Sequence, residues 1–119
     1  MKSKIVHVGK DAFSKEPILI LFGEDATDAI RDVSLLQRFE EDIRDFQLQI
    51  GDHIYFGDQV YTITHVGKSV SANLMSLGHV TFVFKPFDPQ NIIETSIYLS
   101  PYNLPEVVAG MTITYQSSL

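Results

Sequence analysis

The sequence predicts an all-β protein: a compact barrel, closed or partly open, of about six to eight short strands, with at most one or two short helices confined to residues 25–48. Three observations carry that expectation. Short apolar, β-branched runs recur along the chain. Glycine- or proline-bearing turns separate them, and the best-defined run alternates with period two.

Taken in order, residues 4–8 and 17–22 are apolar and β-branched, and the polar stretch 9–16 between them is suited to joining two strands. Together they read as an N-terminal hairpin. Residues 53–56, 59–66, 80–84, 96–99 and 111–115 have the same character. Gly51-Asp52, Gly57-Asp58, Gly67-Lys68 and Pro101-Tyr102-Asn103 punctuate them. Gly57-Asp58 predicts a tight hairpin, because glycine accepts positive φ where other residues strain. Along 61–65, Thr62 and Thr64 alternate with Tyr61, Ile63 and His65, which places His65 on one face with Tyr61 and Ile63.

Residues 25–50 carry a competing signal. Ile30, Val33, Leu36, Phe39, Ile43 and Phe46 recur at spacings of three and four, as in one or two amphipathic helices, with Thr27 or Asp28 capping the start and Glu40, Glu41, Asp42, Arg44 and Asp45 as the wet face. Phe82, Phe84 and Phe87 fit strand packing better than a sugar pocket, and Glu40-Glu41-Asp42 reads as a solvated charge run rather than a metal site.

Composition narrows the function. A chain of 119 residues can bury its own core and is expected to form one domain over residues 1–119, with no repeat or linker to divide it. Its net charge of −6 and lack of a basic cluster argue against nucleic acid and anionic membrane surfaces. No apolar run is long enough to span a bilayer, and no apolar segment follows the basic residues at the N-terminus as a secretory signal would require, so a cytoplasmic location is expected. With no cysteine, thiolate chemistry and cysteine metal sites are excluded. Nucleotide loops, zinc-protease motifs and serine-hydrolase elbows are missing, and neither a cofactor nor a metal is expected.

Two runs are more specific. Asn73-Leu74-Met75-Ser76-Leu77-Gly78-His79-Val80-Thr81 follows Tyr61-Thr62-Ile63-Thr64-His65-Val66-Gly67. In order and spacing they resemble the signature of the glucitol/sorbitol-specific IIA components of the bacterial sugar phosphotransferase system. The resemblance implies a β-barrel IIA domain, with a strand at the equivalent of residues 33–38 after a short helix or turn, and it allows a homodimer. It implies phosphoryl transfer from the carrier HPr to a IIB component beside a IIC sugar permease. Imidazole suits that task, since its neutral form offers a nucleophilic nitrogen and its phosphoramidate stays reactive.

In the family the phosphoacceptor histidine follows the second strand, and the matching position here is Gln37. An amide nitrogen is delocalised into its carbonyl and accepts no phosphoryl group. The candidate acceptors therefore become His79, within the family motif, and His65. His7 and His53 read as structural or surface residues. Two functions follow: a relay through another histidine, or a homologue that binds relay proteins or a regulator without being phosphorylated.

Overall fold

A computed structural model describes residues 1–41 and 47–117. It contains strands β1 (Lys2–Val8), β2 (Ile18–Phe22), β3 (Leu35–Phe39), β4 (His53–Phe56), β5 (Gln59–Val66), β6 (Val80–Val83), β7 (Ser96–Ser100) and β8 (Thr112–Gln116), with helices α1 (Asp28–Asp32) and α2 (Val70–Leu77). The strands close into one barrel in the order β1-β3-β2-β6-β7-β5-β4-β8. Pairing is antiparallel except at β2/β3 and β6/β7. A parallel pair needs a crossover rather than a hairpin. α1 lies within the first crossover, and the segment 84–95 forms the second.

Eight strands enclose an interior that side chains alone can fill. Ile5, Leu21, Leu35, Ile54, Phe56, Ile63, Phe82, Leu99 and Ile113 are buried there. Phe56 is central, with its ring edge-on to Tyr61 and Phe82 at 5.7 and 5.4 Å and tilted against Phe84 at 6.3 Å. Phe82 and Phe84 are therefore core residues, as expected. The Gly57-Asp58 hairpin is also present. Phe56 pairs with Gln59, and Gly57 has φ 61°.

Two expectations about the elements are corrected, and one ambiguity is resolved. The N-terminal hairpin does not form, because β3 lies between β1 and β2. Gly9 turns the chain away beneath α1, donating to the Ser34 carbonyl, while Asp11 donates to the Asp32 carbonyl. The helical periodicity of 25–50 yields only a short helix among the described residues of that stretch. α1 is one turn, capped by Thr27 Oγ1 accepting from the Ile30 amide, and β3 follows as the family resemblance implied. Asp42, Ile43, Arg44, Asp45 and Phe46 of that reading lie outside the described residues. Finally, helices are not confined to 25–48, because α2 occupies residues 70–77.

The shared face expected for His65 is lost to a bulge. β5 pairs Ile63 with Leu99 but His65 with Tyr98, so Thr64 is the extra residue. One added residue inverts the alternation beyond it. His65 consequently sides with Tyr98, away from the interior cluster that holds Tyr61 and Ile63.

Phe56→Ala should remove about 3–5 kcal/mol of stability, the range for a fully buried aromatic, measured by urea unfolding.

Candidate functional site

The site begins at the end of α2. Val70 and Leu74, four residues apart, bury one side of the helix, and Gly78 ends it in the left-handed region with φ 63°. The Gly78 amide returns to the Leu74 and Asn73 carbonyls, and the His79 amide also donates to Asn73. Glycine is required for a second reason. A Cβ on Gly78 would sit 2.8 Å from the Gly23 nitrogen. Gly23 itself donates to the Leu77 carbonyl at 2.8 Å, so the end of α2 is fastened to the end of β2 through two residues without side chains. The Leu-Gly-His motif is thus a helix stop and a backbone contact before it is anything chemical.

Gln37 sits beside this junction. It is 2% exposed on β3, and its side chain enters the barrel wall. Its Nε2 donates to the Gly78 carbonyl at 2.9 Å. A carbonyl can only accept, so the amide orientation is fixed. Oε1 then accepts from Ser3 Oγ at 2.7 Å and Tyr115 OH at 2.6 Å, on the neighbouring strands β1 and β8. Both ends of the amide are satisfied, as burial demands. Burial also lifts the Tyr115 hydroxyl well above its ordinary value, against the smaller opposing effect of its hydrogen bonds with Gln37 and Ser3.

His79 follows Gly78 directly. Its Nδ1 lies 2.9 Å from the Leu21 carbonyl, so Nδ1 carries the proton and the neutral ring keeps its lone pair on Nε2. The ring stacks on Phe22, with centroids 4.1 Å apart and planes at 19°. It is half-buried, and no hydrogen bond to Nε2 is found among the described residues.

A hollow of about 530 Å³ opens at this junction, walled by the β2–α1 turn, β3 and the last turn of α2. Gln37 and Gly78 line it, but neither His79 nor His65 does. Arg38 is the one basic residue among the described residues that line it. Its Nε and Nη2 each donate to a Glu24 carboxylate oxygen at 2.7 Å. That hydrogen-bonded contact holds the Glu24 carboxyl below its ordinary value.

The structure therefore joins Gln37 to the peptide preceding His79 and leaves His65 elsewhere. His65 stacks on Phe87 at 3.7 Å, with Tyr98 edge-on at 5.9 Å. Phe87, read from sequence as packing, has this ring as its partner. His7 and His53 are half-buried on β1 and β4, and His53 lies 6.5 Å from the Tyr55 ring. Sequence reasoning missed Ser3 and Tyr115 as partners of residue 37, and nothing local marks them. It also missed Gly23, whose signal was its place just past a strand.

A closed mixed barrel with this helix-stop motif defines a class, and comparison with known proteins identifies it. Residues 1–114 match the family model described as the phosphotransferase system glucitol/sorbitol-specific IIA component. The chain is 39% identical to a protein whose solved structure is titled the crystal structure of the phosphotransferase system IIA component from Enterococcus faecalis V583. The match covers 98% of this chain and 99% of that one, with a TM-score of 0.90. No curated protein matches. The chain belongs to the glucitol/sorbitol-specific IIA family, and with that membership goes a role as a IIA component of a sugar phosphotransferase system.

Gly78→Ala should cost about 2 kcal/mol or more in chemical unfolding, combining the left-handed penalty with the collision at Gly23. Stability should also fall in strong alkali. The fold favours the neutral Tyr115 phenol, so its contribution is complete below the ordinary value of 10.0 and is lost as pH climbs from there towards the raised folded value. Tyr115→Phe should flatten that decline in thermal melts. A smaller slope should remain from Tyr61 and Tyr98, whose hydroxyls burial also raises.

Proposed function

We propose that the chain serves a sugar phosphotransferase system as a IIA-family component that docks with the relay proteins, HPr and the IIB component of a permease, without carrying phosphate at residue 37. One observation carries this reading. Gln37 has a non-nucleophilic amide nitrogen and is buried, and its two polar ends are taken up by Gly78, Ser3 and Tyr115. The adjoining hollow also suits a phosphoryl group poorly. Transfer is helped most by fixed donors or cations aimed at the phosphoryl oxygens, and Arg38 is engaged by Glu24.

A second reading, the relay, rests on His79. With its Nδ1 proton held by the Leu21 carbonyl, its Nε2 lone pair is the nitrogen that would attack phosphorus. In that step an N–P bond forms at His79 as the N–P bond of phospho-HPr breaks, and the released imidazole of HPr takes up the electron pair. His65, stacked face-on against Phe87, has no comparable carbonyl contact fixing its tautomer among the described residues.

Incubation with phosphoenolpyruvate, enzyme I and HPr, followed by intact-mass measurement, separates the two. The docking reading expects no acid-labile phosphoryl gain, while HPr in the same tube is fully phosphorylated. A gain that disappears in His79→Ala would replace it with the relay reading.

A further inference from the structure

Gln37 reaches His79 through one peptide unit, the one joining Gly78 to His79. Sheet pairing does not hold that unit, because the β2–β6 ladder ends where Leu21 meets Val80. Gly78 holds it weakly too. At φ 63° and ψ 22°, and without a side chain, the glycine puts little steric restraint on the plane that follows it. Two hydrogen bonds do the holding. The His79 amide donates to the Asn73 carbonyl at 3.2 Å on one edge of the plane, and the Gly78 carbonyl accepts from Gln37 Nε2 at 2.9 Å on the other.

The amide that makes the second bond is itself locked. Its Oε1 accepts from Ser3 Oγ at 2.7 Å and Tyr115 OH at 2.6 Å, and all three side chains are buried. Turned end for end, the amide would set its oxygen against the Gly78 carbonyl with no proton between them. Beyond the peptide, the ring is equally dependent on placement. His79 Nδ1 meets the Leu21 carbonyl at 2.9 Å while one ring face lies on Phe22 at 4.1 Å. A shift of about 0.5 Å would carry that hydrogen bond out of useful range.

We infer that Gln37 is a positioning residue for His79, acting through the Gly78 carbonyl to set which ring nitrogen carries the proton and where the Nε2 lone pair points. Ser3 and Tyr115 orient the amide, the amide holds the peptide, and the peptide delivers the ring. A side chain unable to take phosphate thus governs the nitrogen that could. For that consequence the inference rests on the relay reading above, but the coupling of residue 37 to the ring stands apart from it.

Long-range proton–nitrogen spectra of the imidazoles, in mildly alkaline buffer where the rings are neutral, test the coupling. Wild-type His79 should show one tautomer, protonated at Nδ1. In Gln37→Leu, which fills the space but donates nothing, both nitrogens should move towards averaged values as the second tautomer is populated. Gln37→Met, with a more adaptable side chain, should do the same and decides the matter where the leucine variant does not fold. Ser3→Ala loses a buried hydrogen bond of the same network yet keeps the donation to Gly78, so it should melt earlier with the His79 tautomer unchanged. A folded Gln37→Leu or Gln37→Met whose His79 ring matches the wild type would overturn the inference, and so would an equal tautomer change in Ser3→Ala. If enzyme I and HPr phosphorylate His79, Gln37→Met should lower the initial rate by about tenfold or more, and an unchanged rate would also overturn it. If they do not, the relay reading fails alone, and the ring spectra still decide the coupling.

Discussion

The contact between Gly23 and Gly78 sets the position of everything else at this end of the barrel. Two backbones meet where any Cβ would intrude, and the Gly23 amide donates to the Leu77 carbonyl across the contact. From that junction the Gly78 carbonyl is aimed at Gln37, and the next residue brings the His79 ring to the Leu21 carbonyl and the Phe22 face. The same contact sets the last turn of α2 as one wall of the hollow. Fixing a short helix by its terminal peptide is economical, because α2 buries only Val70 and Leu74.

The barrel interior divides the labour. Its apolar side chains supply the hydrophobic gain, while Ser3, Gln37 and Tyr115 put a closed polar network into the wall. Such a network adds specificity only when every member is satisfied. The amide at position 37 meets that condition through one donor contact and two acceptor contacts, which is why it suits a structural role as well as it fails a nucleophilic one.

Much of the strand framework was legible because alternation and turn glycines are local signals. Gly57 and the Thr62–Thr64 pattern led directly to β4 and β5. Partner choice was less legible. Residues 4–8 and 17–22 look like a hairpin only when sequence neighbours are taken as spatial neighbours, whereas the β1–β3 pairing is decided by core faces far apart in the chain. The bulge at Thr64 reversed the facing of His65 without leaving a mark such as glycine or proline. α2 was hidden because the eight residues before Gly78 hold just two buried apolar positions, and the motif at their end drew attention to its histidine. At the site, Gln37 and His79 were both singled out from sequence, yet the carbonyls that hold them belong to Gly78 and Leu21, whose backbone roles no side-chain pattern reveals.

Closure of the barrel through β8 bears on how the chain is made. β8 lies between β1 and β4, so until residue 116 leaves the ribosome the nascent sheet has two unsatisfied flanks. Open flanks of this kind invite pairing with other chains. A topology that joins the first strand to the last also places its decisive event late and makes it slow, because the intervening chain must be ordered before the contact rewards it. During synthesis, protection of those flanks falls to whatever meets the emerging polypeptide rather than to the fold itself.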